Sequence, residues 1–263
     1  MTRRMEEFLY IMLWGAETLI CPTFRDVTDT FEGWAHRRGL LRRIHSLEKR
    51  KLIEPKPGGV VERIYRLTEM GRIAALGGSD PERRWNRSWD GKWRVVLFDV
   101  PEKHNASRVR LRRYLKDRGF GYLQNSVWIS PDPLDEHVKK LSALGEDVES
   151  FITLEASPCS GEHDESIVSG AWNFKHITRL HQDCLRLLTN TPGRKSGKST
   201  SAEKLQQWAR EERAAWQAVV DADPLLPLAL LPADYLGREV WKLRNRVLRD
   251  AGRWLQNCVP YGT

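Results

Sequence analysis

Cysteine is scarce in this 263-residue chain, and its four cysteines, at positions 21, 159, 184 and 258, form no CxxC pair. That spacing excludes a zinc site of the CxxC type and predicts four ordinary reduced thiols. Long hydrophobic runs are also missing, since none approaches the roughly 18 residues of a membrane-spanning helix. We therefore predict a cytoplasmic protein that makes no contact with a membrane.

Recognisable enzyme motifs are absent as well. Neither the HExxH zinc motif nor the GxSxG nucleophile motif occurs. The closest pair of histidines, His176 and His181, is five residues apart, whereas zinc on one helical face needs a spacing of four. The first residues, MTRRMEEFLYIMLW, place acids before the apolar run, which argues against a secretory signal. We predict a protein that is not an enzyme and that requires no cofactor.

Positive charge is in surplus. The formal net charge is +8. Residues 33–56 alone hold eight Lys or Arg against two acids, a local surplus of +6. A concentrated basic stretch favours a polyanionic partner, above all nucleic acid.

The first region, residues 1–78, predicts three helices followed by a hairpin. EEFLYIMLWGAET (6–18) is typical of a first helix, and a short one follows near FRDVTDTF. A longer helix is predicted over 33–54, because its apolar positions recur at three and four residues: Leu40, Leu41, Ile44 and Leu47. LIEPKPGGVVERIYRLT (52–68) then predicts a two-stranded ribbon with a glycine tip. This order is that of a winged helix-turn-helix.

The basic helix and the ribbon carry the candidate DNA contacts. Cations on a helix in the major groove neutralise phosphates, and arginine can read guanine through two parallel hydrogen bonds. The alternative is a solvated basic face on a winged helix that binds another protein. The residues predicted to contact DNA are Arg37, Arg38, Arg42, Arg43, His45, Lys49, Lys56, Gly58, Gly59 and Arg63.

The central region follows a polar linker, residues 79–91. Residues 92–157 predict a βαββαβ order, which is typical of a ferredoxin-like α+β domain. Its first strand is WRVVLFDV, and a helix over 105–118 begins at Asn105 as N-cap with Leu111, Tyr114 and Leu115 facing inward. Residues 121–130 predict a strand or a bent strand pair. Asp132 is predicted to cap the next helix, and 148–156 to form the closing strand.

The last region, residues 158–263, predicts a helical C-terminal domain, with Trp208 and Trp216 packed in its core. Its basic loop GRKSGKSTS (193–201) is similar to a phosphate-binding P-loop, but Gly193 and Gly197 enclose three residues rather than four. We interpret it as a flexible basic loop that contacts DNA or an anionic ligand. The whole chain is therefore an α+β multidomain protein.

Asp99 raises the main alternative, because a carboxylate at the end of a strand can hold Mg²⁺ for phosphodiester cleavage. It would make the protein a Mg²⁺-dependent nuclease or nucleic-acid-processing factor. One carboxylate is a poor metal site, however, and the acid next to it is Glu102. We expect instead that Asp99 caps the 105–118 helix or pairs with an arginine, so that no catalytic or metal-binding residue is assigned.

Three stretches resemble one protein family. WDGKWRVVLFDVPEKHNASRVRLRRYLKDRGFGYLQNSVWISP (89–131) is similar to the central domain of PaaX-type transcriptional repressors. DPLLPLALLPADYLGREV (223–240) resembles their C-terminal motif, and LLRRIHSLEKRKLIEPKPGGVVERIYRLTEMG (40–71) resembles their winged helix. The resemblance covers nearly the whole chain, and its first two stretches are the specific ones.

The resemblance implies a homodimeric repressor that binds a palindromic operator on double-stranded DNA. It also implies release by a small anionic effector of the acyl-CoA type, since the best-known members respond to aryl-CoA thioesters. The central domain of the family is similar to the small ferredoxin-fold subunit of CRISPR spacer acquisition. In some nucleases of that group an aspartate at the end of the first strand binds metal, and Asp99 stands at the matching place. In the repressors the domain resembles a dimerisation scaffold.

Overall fold

The computed structural model describes residues 40–55, 65–75, 78–134, 150–161, 163–192 and 202–258. Within these residues the chain is a mixed α+β protein with eight α-helices, a two-stranded ribbon and a four-stranded antiparallel sheet. The predicted α+β class is confirmed. The chain divides into two compact units, one formed by residues 1–80 and 241–263 and the other by residues 81–240.

The first unit contains helix α1 (Leu40–Lys49), which is shorter than the predicted helix over 33–54. Lys51 adopts a left-handed φ of 57° and ends the helix. The Leu52 amide then donates to the Leu47 carbonyl at 2.9 Å and the Lys51 amide to Glu48 at 2.8 Å, which together form a Schellman motif. Leu47 and Leu52 pack in one apolar cluster, as this motif favours.

A two-stranded ribbon follows, made of β1 (Ile53–Pro55) and β2 (Tyr65–Leu67), which pair antiparallel. Helix α2 (Glu69–Ala75) begins after Thr68, whose hydroxyl accepts from the Gly71 amide at 3.0 Å and donates to the Lys51 carbonyl at 2.6 Å. A Cβ atom at Gly71 would overlap the Leu52 carbonyl, so only glycine allows this approach. One cluster of Ile44, Leu47, Leu52 and Ile53 is the core of these elements.

Several predicted elements lie outside the described residues. These are the first two helices within 1–39, the ribbon tip within 56–64, the helix predicted after Asp132 and the basic loop 193–201. The helix-turn-helix therefore stays a prediction, although the described helix and ribbon follow its order.

The second unit begins with α3 (Pro81–Trp85), inside the segment predicted as a polar linker. Trp85 is only 3% exposed, so this segment contributes to a core. The sheet consists of β3 (Trp93–Asp99), β4 (Gly121–Gln124), β5 (Val127–Ser130) and β6 (Ser150–Ala156).

The strand order in the sheet is β4-β5-β3-β6, with every neighbouring pair antiparallel. The third strand of the domain thus lies between the first and the second, as in a split βαβ unit of the ferredoxin-like type. The bent strand pair predicted over 121–130 is confirmed, since Asn125, at φ 48°, forms the turn between β4 and β5.

Helix α4 (Asn105–Asp117) covers one face of the sheet. Leu111 and Leu115 are fully buried against β3, and Tyr114 is half-buried, as predicted. The prediction that Asn105 caps this helix is wrong. A 3₁₀ turn over Glu102–His104 leads into the helix, so Asn105 is its first helical residue, and His104 stands at the N-cap without a capping side-chain bond.

Within the described residues, the opposite face of the sheet is covered only in part. Around one end it packs against the segment after β6, where Trp93 and Ile129 meet Trp172, Leu226 and Leu230. At the other end the cross-strand neighbours Leu97 and Ile152, together with Leu154, leave apolar side chains exposed, with Ile152 at 48% and Leu154 at 51%. Leu97 is half-buried.

Helices α5 (Asp164–Ala171), α6 (Phe174–Thr189) and α7 (Ala202–Ala222) complete the second unit, together with a 3₁₀ turn at Leu228–Leu230. Trp208 and Trp216 are buried, as predicted, and the Trp208 indole donates to the Leu187 carbonyl at 3.0 Å. Helix α8 (Gly237–Cys258) follows. Among the described residues, no helix combines the length and apolar character needed to cross a membrane.

Candidate nucleic-acid interface and buried polar network

Helix α1 carries four of the predicted DNA contacts. His45 and Lys49 are exposed, whereas Ile44 and Leu47 on the same helix are buried, so α1 is amphipathic with a solvent-facing basic side. Arg42 and Arg43 lie in the described helix, but their side chains are outside the described residues. The other predicted contacts also lie outside them: Arg37, Arg38, Lys56, Gly58, Gly59 and Arg63.

Asp99 is exposed at the end of β3, where its register partner is Ser150. Within the described residues it forms neither the predicted helix cap nor an ion pair with an arginine. Arg108, on the helix beside it, donates instead to the Val100 carbonyl. The described part of the chain also contains no group of three or more metal-ligating side chains.

A buried polar network in the second unit centres on Asp223. Its Oδ2 atom accepts a 2.6 Å hydrogen bond from the Tyr235 hydroxyl and lies 3.3 Å from His181 Nε2. Its Oδ1 atom accepts from the Leu225 amide at 2.9 Å. The side chains of His181 and Asp223 are 1% and 0% exposed. The carboxylate thus satisfies three donors in a water-poor interior, which is what a buried charge requires.

Aromatic rings enclose this network. The Trp85 indole donates to the Tyr235 oxygen at 3.1 Å, and the rings of Trp85, Phe174 and His181 all meet Tyr235 edge-on. Burial, and then the charge of Asp223, raises the pKa of Tyr235 far above its ordinary value. Tyr235 therefore remains protonated and acts as a hydrogen-bond donor to Asp223.

His181 is the member of the network with an unsatisfied ring nitrogen. Its Nδ1 atom is buried and has no hydrogen-bond partner among the described residues. Nε2 faces the Asp223 carboxylate, so a proton on this nitrogen is the one that reaches Asp223. The imidazole meets the Tyr235 ring edge-on and lies beside the Asp223 carboxylate. The arrangement joins distant segments of the chain.

A second set of hydrogen bonds, centred on Asp132, joins the start of the unit to the end of strand β5. Arg87 Nε and Arg84 donate to its two carboxylate oxygens at 2.5 Å and 2.8 Å, and Arg87 also donates to the Leu225 carbonyl at 2.5 Å. Burial opposes the charge of Asp132, but the hydrogen bond from Arg87 and the charges of both arginines outweigh it, so its pKa is lowered. Asp132 thus accepts from two arginines, while the helix that it is predicted to cap lies outside the described residues, so the cap stays a prediction.

Sequence reasoning missed this network. The sequence assigns His181 nothing beyond a spacing from His176 that does not suit zinc, and Asp223 and Tyr235 lie within the C-terminal motif. No short spacing links His181 to Asp223, because they are on different elements. The one available signal was the DP and LLP pattern around 223–232, which interrupts the helices with an apolar, proline-rich turn.

Comparison with known proteins finds a family that matches the central region. Residues 86–168 match the family described as the PaaX protein central Cas2-like domain. This match confirms the predicted resemblance for that region and supports a transcriptional regulator in general. A solved structure, the uncharacterized protein Rv0674 from Mycobacterium tuberculosis, is similar with a TM-score of 0.49 and 22% sequence identity, covering 82% of this chain and 84% of that chain. No curated protein matches the chain.

Proposed function

We propose that this protein, whose residues 86–168 belong to the family of PaaX central Cas2-like domains, is a DNA-binding transcriptional repressor. It binds a palindromic operator as a homodimer. The observation that carries the proposal is the first unit, where an amphipathic basic helix leads directly into a two-stranded ribbon.

Charge and exposure on α1 support DNA as the partner. The solvent side of the helix carries His45 and Lys49, and Arg50 and Lys51 extend it beyond the last turn, all exposed. Each phosphate neutralised by such a cation releases counterions, so affinity should fall steeply as salt rises. The buried Ile44 and Leu47 fix the helix on its own core and leave this side for a ligand.

The uncovered end of the sheet supports the homodimer. Ile152 and Leu154 are large, apolar and about half exposed on the edge strand β6, and Leu97 adjoins them. Exposed apolar groups that cluster on one face of a sheet mark interaction surfaces. Two copies of this face would bury each other's side chains and pair two DNA-binding units for a palindromic site.

A small anionic effector completes the proposal. A cleft of about 560 Å³ lies between α6 and α7, and its wall includes Arg186, Lys204 and Trp208 together with the carboxylate of Glu211. Cations beside an indole suit an anionic ligand with an apolar part, such as an acyl-CoA. Such a ligand releases DNA only by binding more tightly to the conformation that does not bind the operator.

The nuclease alternative gains no support from the described residues, where Asp99 belongs to no group of three or more metal-ligating side chains. We therefore do not propose catalysis.

The test is a fluorescence-anisotropy titration of the full chain onto its own upstream DNA, with a scrambled duplex as control. Two salt concentrations are used, each with and without Mg²⁺, and the DNA is then run on a denaturing gel. Intact upstream DNA held at least ~10³-fold more tightly than the scrambled duplex supports a sequence-specific regulator. Equal affinity for both duplexes, or shortened strands in Mg²⁺, contradicts the proposal.

Variants then assign the contacts. Arg42→Ala and Arg43→Ala should weaken binding, and equal weakening on both duplexes would assign these residues to phosphates rather than bases. Lys175→Ala, an exposed cation on α6, is the control and should bind as the wild type does.

A further inference from the structure

The solvent side of helix α4 carries dense positive charge. Residues 103–118 contain seven Lys or Arg and one acid, a surplus of +6 that equals the surplus of the predicted DNA-contacting stretch at 33–56. We name four exposed cations of this helix the α4 basic face: Arg110, Arg112, Arg113 and Lys116.

The buried side of α4 packs on the core of the domain, so the α4 basic face points to solvent. Leu111 and Leu115 are fully buried against the sheet, and Ser107 is buried beside them. Residues on the other side of the helix therefore cannot turn inward without emptying the core. Arg108, which is half-buried, is anchored by its bond to the Val100 carbonyl and is not part of the face.

Acidic partners are scarce on the α4 basic face. In the part of the chain that the structure describes, its one ion pair joins Arg113 to Asp117 at 3.8 Å, with side chains 83% and 65% exposed. Arg110 donates to the Ser107 hydroxyl at 2.7 Å, and Arg112 to the Asn125 carbonyl at 3.4 Å. Exposed pairs of this kind neutralise little charge.

Three less exposed arginines of the same unit are arranged differently. Each has a carboxylate within hydrogen-bond distance: Arg84 and Arg87 with Asp132, and Arg94 with Asp90. These three arginines are paired within the fold, whereas the α4 basic face has cations three and four residues apart. Arg112 and Arg113 both adjoin Lys116 in this way, and such like-charge neighbours destabilise a helix. A bound polyanion would remove that repulsion.

We infer that the α4 basic face binds the phosphate backbone of double-stranded DNA, as a contact separate from the predicted helix-turn-helix. Neighbouring cations on the helix lie roughly 5–6 Å apart at their Cβ atoms. A duplex presents one negative charge per about 1.7 Å of axis, so several phosphates fall within reach. The only large apolar group on the face is Val109, and no aromatic anchor of the kind that protein partners use is present there among the described residues.

This contact carries no base information, because phosphates are the same in every sequence. It would add affinity and salt dependence to a complex whose sequence preference comes from elsewhere. The inference shares only its partner, DNA, with the proposed function.

The test compares two triple variants of the full chain on the upstream and scrambled duplexes over a salt series. The first combines Arg112→Gln, Arg113→Gln and Lys116→Gln, since glutamine keeps helix propensity. The control makes the same charge change at exposed cations of α6 and α8: Lys175→Gln, Arg179→Gln and Arg238→Gln. Circular dichroism melts confirm that both variants fold.

We expect the α4 variant to bind both duplexes more weakly by the same factor. The slope of log affinity against log salt should fall by about 0.9 for each phosphate that the variant no longer neutralises, thus by up to about 2.7. The control variant should keep the wild-type slope. Equal slopes and affinities for the two triple variants would overturn the inference.

Failure of the proposed function gives a different result. A wild-type protein that prefers neither duplex contradicts the sequence-specific regulator, but the α4 contact stands if the α4 variant still lowers the salt slope. A wild-type protein that binds neither duplex overturns both.

Discussion

The hydroxyl of Tyr235 and the Oδ2 atom of Asp223 are 2.6 Å apart, inside a core that also contains His181. This bond closes the loop between α7 and α8, since the two residues lie on either side of its proline-rich turn. Trp85, near the start of the unit, donates to the same phenol. The Tyr235 side chain therefore contacts three separate stretches of the chain, at Trp85, His181 and Asp223.

Tyr235→Phe removes the donor to Asp223 and the acceptor for the Trp85 indole. The buried Trp85 indole then lacks its acceptor and Asp223 loses one of its three donors, so we expect the free energy of unfolding to fall by about 1–3 kcal/mol. Urea unfolding followed by tryptophan fluorescence measures it. Tyr122→Phe, on a 44%-exposed ring, is the control and should change stability little. Equal effects of the two substitutions would show that the network contributes nothing.

Asp132 should make stability depend on pH in acid. Its pKa is lowered in the folded protein, so the unfolded chain takes up this proton first as the pH falls. The stabilisation is complete above the ordinary aspartate value of about 3.9 and is lost as the pH falls through the folded value. Asp132→Asn should therefore lower the melting temperature at pH 7 and flatten its decline below about pH 4. Asp234→Asn, at an exposed aspartate, should leave the pH profile unchanged; an unaltered profile in Asp132→Asn would contradict the assignment.

Lys51 ends α1 in a left-handed conformation at φ 57°, which costs a residue with a side chain about 1 kcal/mol. Lys51→Gly removes this strain, although glycine also raises the entropy of the unfolded chain, so we expect a stabilisation of about 0.5 kcal/mol. Arg50→Gly, one residue earlier and outside the left-handed region, should destabilise instead. Calorimetry of both variants checks the opposite signs, and a loss of stability in Lys51→Gly would refute the account of the helix end.

The exposed apolar face of the sheet predicts that one substitution will separate the proposed dimer. Leu154→Glu places a charge among apolar side chains, so it should shift the protein from dimer to monomer in sedimentation velocity. Thr153→Glu, on the same strand and the opposite face, should leave the dimer intact. A dimer that survives Leu154→Glu and is lost in Thr153→Glu would place the interface on the other face.

The local features of this protein could be predicted from the sequence. The spacing of Leu111 and Leu115 indicates a helix with one buried face, and WRVVLFDV indicates a buried strand, because periodicity reports the surroundings of each residue. The basic surplus at 33–56 indicates a polyanion by charge alone. The order of elements in the central region predicts its sheet, since few topologies join such strands and helices.

Only the tertiary structure decided which distant residues meet. Asp132 has the local pattern of a helix cap, but the sequence pattern did not show that Arg84 and Arg87, more than 40 residues earlier in the chain, donate to its carboxylate. His181 and Asp223 share no spacing rule, because their contact depends on how α6 packs against the turn after α7. Sequence pattern indicated most of the buried apolar residues, although not Trp85, and packing determined the partners of the buried polar groups.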